Sequence, residues 1–443
     1  MGPSMLQPSR RLAALVPLAL AFLLPAPEAQ AQLASCSVVR QNLFVRDVMF
    51  DLYYWYQFLP EVNAARFPSP EAYLEAVRYR PLDQSFSYIS SREADQAYYS
   101  ESQFIGFGLS TRTTIDETSG AATMWVLQVF PESPASEAGL MRGDVILEIG
   151  GRTVTDLAAT GELGAAFGPN EIGVVREIVY QRGGDEPVRR TMEKRLVTIP
   201  TVSATAVVER DGRRIGYVFF RNFVQPSVAA LDEAFAALKA AQVRELVLDL
   251  RYNGGGLVSV AQHLGSLVGG ARTTGQVFAE YFHNDKNAFR NQILRFEEKA
   301  NALGLDRLVV ITTRASASAS ELVINALRPF MPVVLIGDTT FGKPVGQYGI
   351  PFCDKVLHPV AFTLRNADGQ GDYFGGIPAT CPAEDDLSHQ IGEVEEASLA
   401  EALHYLETGT CRTPPAEAAR ARQARRERTV PERDGFRRLV NAW

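Results

Sequence analysis

The stretch TRASASASELVINALRP, residues 313–329, sets Ser316, Ser318 and Ser320 on alternate positions between an apolar run and a helical pattern. A hydroxyl at a strand-to-helix junction has two uses. It can cap the helix by accepting from a backbone N–H. It can also attack a carbonyl while the unpaired amides and positive dipole end of the helix hold the developing oxyanion. The second use needs a proton acceptor. Five histidines are available, His263, His283, His358, His389 and His404, none of them in a local catalytic signature. Triad partners need not be close in sequence. A lysine serves as well, if burial brings its pKa down from about 10.4. Lys343 lies in GDTTFGKPVGQYG, just after the apolar PVVLIGD, and Gly342 and Gly346 let the backbone come close to a neighbour.

Positioning these groups falls to residues 205–410, where strand and helix patterns alternate. RIGYVFFRNF reads as a strand, VAALDEAFAALKAAQ as an amphipathic helix, and ELVLDLRYNGGG as a buried strand ending in a glycine loop. LVSVAQHLGSLVG, RLVVITT, ASELVINALRPF and PVVLIGD continue as helix, strand, helix and strand. Such alternation predicts an α/β layer.

Two further textures precede it. Residues 32–101 carry helical patterning with aromatics on one side, as in NLFVRDVMFDLYYWYQFLP, and predict a small N-terminal helical domain. Residues 102–200 turn to short strands and tight turns: FIGFGLS, TMWVLQVF, SPASEAGLMRGDVILEIGG, a helix in DLAATGELGAAF, and closing strands in VVREIVYQ and RRTMEKRLV. In that order they resemble a PDZ domain, with Ile105, Gly106, Phe107, Gly108 and Leu109 in the place of its peptide carboxylate-binding loop. Ile105, Phe107 and Leu109 alternate with glycine or serine, which predicts a shallow pocket for a small apolar terminal residue. NADGQGDYF, residues 366–374, lacks the terminal glutamate of a calcium loop and reads as a turn.

Residues 1–31 have the pattern of a secretory signal peptide: Arg10 and Arg11, the apolar LAALVPLALAFLLP, then small residues at Ala29 and Ala31. The remaining chain has no apolar stretch of spanning length. An alternative is a lipobox in LASC, with Cys36 lipidated. A net charge of −7 gives no basic footprint for nucleic acid. Cys36, Cys353, Cys381 and Cys411 are even in number and lack metal-ligand spacing, which predicts two disulfides in an exported protein. Three pairings are open, and Cys353–Cys381 with Cys36–Cys411 is the expected one. Residues 412–443 are arginine-rich with little apolar patterning and predict a disordered tail.

DLRYNGGG, SASASE and TFGKPVGQ, in this order after a PDZ-like segment, resemble the C-terminal processing peptidases, or tail-specific proteases, which use a Ser-Lys dyad. The resemblance covers roughly residues 100–350. It implies a crotonase/ClpP-like α/β core with an inserted PDZ-like domain, Ser318 as nucleophile, Lys343 as base and Gln347 orienting the lysine. It also implies an oxyanion hole of the Gly255 and Ala319 N–H groups, protein or peptide substrates with free C-termini, and no cofactor or metal. Pro344, Gly346 and Pro329 depart from the family pattern and mark a divergent subgroup. The competing readings are an inactive PDZ scaffold, an apolar-ligand-binding protein on the same core, and an acyl-coenzyme A enzyme, whose cofactor export would withhold.

Overall fold

The structure, a computed structural model, describes residues 2, 35–412, 427–430, 440 and 443. The leader pattern of residues 1–31 lies almost wholly outside them. Among the described residues, no helix is long and apolar enough to cross a membrane.

Six strands form the central sheet in the order Val202–Arg210, Arg213–Phe220, Glu245–Asp249, Leu308–Thr312, Val333–Gly337, Cys381–Pro382. The first pair is antiparallel and the rest are parallel. All of Leu308–Thr312 is buried, as suits a parallel strand covered on both faces. The two-residue alternation of strand side chains divides the core. Leu246, Leu248, Leu308 and Val310 pack with the helices Ser227–Ala240, Val258–Gly269 and Ala319–Leu327. Val247, Val309 and Ile311 face the other way, onto Leu399, Leu403 and Leu406 of the helix Ala397–Thr408. This is the expected α/β core. A second, antiparallel sheet of Ile293–Arg295, Val277–His283, Val360–Arg365 and Val345–Gln347 carries the residues that follow Lys343.

Helices Val38–Leu52 and Pro70–Val77 form near the start of the described chain, the second capped by Ser69 with Pro70 at its first position. Their aromatic stripe is core. Val45, Met49 and Tyr53 share one cluster with Val345, Phe352, Leu357 and Val360. The strand Tyr88–Ser91 pairs with Lys355–His358. The segment thus packs against the sheet that leads away from Lys343.

Residues 103–198 form the antiparallel β unit read as a PDZ domain. Two local expectations are corrected. The single helix expected in DLAATGELGAAF is two pieces, Val154–Ala159 and Leu163–Ala166, because Gly161 takes a positive φ of 72° between them. The closing strand RRTMEKRLV is divided at Lys194, whose fully buried ammonium donates to the carbonyls of Gly168 and Pro169.

The tail is also corrected where it is described. Glu427–Val430 pairs antiparallel with Thr113–Asp116, and Val440 and Trp443 are buried.

The disulfides are Cys36–Cys353 and Cys381–Cys411, not the expected pairing. Cys353 sits in the turn between the paired strands Ile350–Phe352 and Lys355–His358, against which the first helix packs, so Cys36 is its neighbour. Cys381 is on the edge strand of the central sheet, and the helix Ala397–Thr408 returns Cys411 beside it. The lipidated Cys36 alternative falls with this pairing, since that sulfur is already bonded. Peptide mapping without reductant should recover the 36–353 and 381–411 linkages. Replacing Cys36 and Cys353 together by alanine should lower stability by about 2–5 kcal/mol in denaturant unfolding, since the bridge closes a long loop of the unfolded chain.

Candidate active site

Ser318 ends the turn after the strand Leu308–Thr312 and immediately precedes the helix Ala319–Leu327. Its φ of 56° and ψ of −113° are rare for a residue with a side chain. Ala319 begins the helix, so its N–H has no acceptor within it. Of the neighbouring serines, Ser316 Oγ donates to Leu250 O at 2.8 Å and Ser320 Oγ to Asn253 O at 3.0 Å. Both are fully buried and committed to holding the glycine loop.

Ser318, Ala319, Lys343 and Gln347 line one cavity of about 1280 Å³, together with Gly256 and Phe86. Lys343 Nζ donates to Gln347 Oε1 at 2.5 Å. Gln347 is fixed in turn, its Nε2 donating to Phe86 O at 2.6 Å and His358 O at 2.9 Å. The departure at Gly346 has a steric cause. A Cβ there would meet the Phe362 ring at 1.9 Å.

Gly255 packs against the same junction. With φ of 97°, an added Cβ would lie 2.8 Å from Ala319 N and from Ser318 Cβ. Its own N–H donates to Asn253 Oδ1 at 3.0 Å and must exchange that acceptor to bind an oxyanion. Of the histidines, His358 also lines the cavity, but its Nε2 lies 2.7 Å from Asp95 Oδ1 and its ring stacks on Tyr88.

One residue outside the expected set joins the two halves of the site. Glu321 is fully buried and its carboxylate accepts four hydrogen bonds. Oε2 takes the N–H groups of Ser318 and Lys343, both at 2.8 Å, and Oε1 takes Gly342 N at 2.7 Å and Thr340 Oγ1 at 2.6 Å. Burial pushes this carboxyl up against the opposing pull of its donors. The sequence signal was a Glu three residues after Ser318, the reach-back position of a capping box.

The glycine loop is tied to the PDZ-like unit by charge. Arg142, in the LMRGD turn, donates to Tyr252 Oη at 2.7 Å and Asp385 Oδ1 at 2.7 Å, and Tyr252 Oη donates to the same Asp385 oxygen at 2.6 Å. Arg251 bridges Asp249 and Glu396 behind them. Burial alone would raise the Asp385 carboxyl, but Arg142, Arg251 and Arg112 hold it below the usual carboxylate range.

In the loop expected to bind a carboxylate, the N–H groups of Gly108 and Leu109 donate to Trp443 O, at 2.7 and 3.2 Å. Phe107 and Leu109 share a buried cluster with the Trp443 indole, and Ile105 lies outside it, on a strand pairing with Leu196. The pocket expected to suit a small side chain holds the largest one.

Three family models match the chain in order: Peptidase S41 N-terminal domain over residues 40–88, PDZ domain over 125–170, and Peptidase family S41 over 214–376. The chloroplastic C-terminal processing peptidase of Tetradesmus obliquus is 31% identical over 265 residues, 56% of this chain and 53% of that protein. The carboxy-terminal-processing protease of Bartonella bacilliformis is 26% identical over 276 residues, 61% of this chain and 59% of that one. The chain spans about half the length of the curated relatives it matches. A solved structure assigned as an S41 protease of Bacteroides fragilis aligns with a TM-score of 0.66 at 27% identity, covering 83% of this chain and 97% of that one.

Glu321→Gln should cost about 1–3 kcal/mol, because the new amide turns a donor toward donors. Hydrogen exchange should show faster exchange at the Gly342 and Lys343 amides. Asp385→Asn should cost about 3 kcal/mol at neutral pH, by leaving Arg142 with a neutral partner in a buried site. A depressed carboxyl contributes stability above its unfolded pKa and loses it as pH falls through the folded value. The gap between wild type and Asp385→Asn, followed by denaturant unfolding, should therefore be flat above about pH 5 and narrow progressively below pH 4.

Proposed function

We propose that this chain, a member of peptidase family S41, is an exported serine endopeptidase that cleaves proteins or peptides near their C-termini. The observation that supports this most directly is the shared cavity: Ser318 at a helix start, and Lys343 Nζ held by Gln347 in the same space. Two disulfides among the described cysteines, with no free thiol, suit an oxidising compartment.

In this reading Ser318 Oγ attacks the scissile carbonyl carbon as Lys343 Nζ, in its neutral form, takes the hydroxyl proton. The carbonyl oxygen becomes an oxyanion facing the N–H groups of Ala319 and Gly255, the latter exchanging Asn253 Oδ1 for it. The tetrahedral species collapses with loss of the amine, which receives the proton from Lys343, and the acyl group stays on Ser318. A water then attacks the ester, gives its proton to Lys343, and returns Ser318 Oγ–H with release of the acid. Gln347 acts through the lysine, by fixing where the amine points. The PDZ-like unit holds the substrate's end and raises the local concentration of upstream chain at Ser318.

Ser318→Ala should lower kcat for a fluorogenic peptide by about 10⁴-fold or more with the fold retained, while Ser316→Ala and Ser320→Ala act through stability. Lys343→Arg should be equally inactive, since guanidinium does not give up its proton in proteins. Activity retained in Lys343→Arg would move the base to a histidine, His358 first, and equal loss at all three serines would remove Ser318 from the role of nucleophile.

A further inference from the structure

The tail of this chain lies where a PDZ-bound ligand would lie. Trp443 is 2% exposed and its backbone makes a two-way pairing with Leu109. Trp443 N donates to Leu109 O at 2.7 Å, and its carbonyl oxygen accepts from Gly108 and Leu109. Its indole stacks on Phe167 with ring centroids 4.5 Å and planes 13° apart, and Nε1–H donates to Thr111 Oγ1 at 2.9 Å. Gly106 leaves room for this backbone, since a Cβ there would meet the Trp443 carbonyl carbon at 2.6 Å. Upstream, Glu427–Val430 adds as a strand to Thr113–Asp116 of the same sheet. Strand addition with one side chain in a pocket is how such domains take extended peptides.

We infer that Glu427–Val430, Val440 and Trp443 belong to an intramolecular ligand of the PDZ-like unit, which competes with substrate ends, and that the pocket selects an aromatic side chain with an indole N–H. The specificity has a physical basis in three features: a flat ring on Phe167, an acceptor for the indole N–H at Thr111, and apolar walls from Phe107 and Leu109. A small aliphatic end would leave the pocket partly empty and Thr111 without its donor. The tail is also linked to the glycine loop through Arg221. Arg221, fully buried, donates to Val440 O at 3.2 Å and to Tyr252 O at 2.6 Å, and Tyr252 begins the turn that ends in Gly255 and Gly256. A tethered competitor acts at an effective concentration far above that of a dilute substrate, so it must be displaced before a substrate end is held.

This inference rests on the proposed role of the PDZ-like unit as a holder of chain ends, and its test reads binding apart from cleavage. The probe is a fluorescein-labelled peptide with the sequence of residues 435–443 and a free terminal carboxylate, beside the same peptide ending in alanine. Binding is followed by anisotropy to the otherwise full chain carrying Ser318→Ala, so that nothing is cut. Adding Trp443→Ala, or ending the chain after Arg412, should tighten binding of the tryptophan-ended peptide at least tenfold. The alanine-ended peptide should bind at least tenfold more weakly than the tryptophan-ended one. Trp443→Phe, which keeps the ring and loses the N–H, should fall between. If the shortened chain misfolds, Trp443→Ala alone decides. Equal affinity with and without the tail side chain would overturn the competition, and equal affinity for the two peptides would overturn the specificity. Absence of hydrolysis by any version with Ser318 intact would count against the peptidase reading and leave the binding result standing.

Discussion

A single buried carboxylate fixes the relation between the two loops of the candidate site. Glu321 draws one oxygen to the Ser318 and Lys343 amides and the other to Gly342 and Thr340. Taking a carboxylate out of water costs several kcal/mol, and hydrogen bonds to a charged group return about 1.5–3 kcal/mol each. Four donors are therefore what such a burial requires. The same bonds over-determine Ser318, whose positive φ costs about 1–3 kcal/mol and persists only where its surroundings leave no alternative. A neutral or smaller side chain at 321 would release the lysine loop from the helix start while leaving Ser318, Lys343 and Gln347 all present.

The second constraint is the glycine loop, which turns through positive φ at Tyr252, Gly255 and Gly256. Nothing in a run of glycines holds a conformation by itself. Rigidity comes from around it: Ser316 and Ser320 bond its carbonyls, and Asn253 accepts from Gly255. Arg142, Arg251 and Arg221 anchor it from three sides. Because Arg142 comes from the β unit and Asp385 from the far edge of the core, movement of the β unit against the core strains the Tyr252 hydroxyl directly. The loop is positioned by charges distant in sequence and adjacent in space.

This distribution explains what could be read from the chain alone. The α/β core was legible because its strands are continuous apolar runs and its helices follow a 3.6-residue pattern, both local properties. The serines at 316–320 and Lys343 drew attention because small residues and glycines cluster around them, and such clusters mark close backbone approach, whereas only the family resemblance singled out Ser318 among the serines and pointed to Gln347. The cysteine partners were not legible, because the Cys36–Cys353 contact depends on a hairpin at residues 350–358 packing against a helix some 300 positions earlier. Glu321 could be seen only as a helix cap, since three of its four donors belong to residues 340–343. The tail misled for a different reason. Its arginines outweigh its few apolar residues in any average, yet Val440 and Trp443 are buried and Glu427–Val430 pairs with a neighbouring strand.

That docking must be weak to be useful, and its components have the right size. Burying a large aromatic side chain contributes about 2–3 kcal/mol and its stacking on Phe167 about 1 kcal/mol. Fixing the backbone of each docked residue costs about 1–2 kcal/mol, so a few ordered residues offset most of the gain. In the proposed reading, a free substrate end with the same terminal chemistry gains the same pocket contacts and can add contacts of its upstream chain along the 1280 Å³ cavity. Exchange between the two ligands then depends on what lies upstream of the end as well as on the side chain in the pocket, so in the proposed reading the part of the substrate nearest Ser318 adds its own discrimination to that of the PDZ pocket.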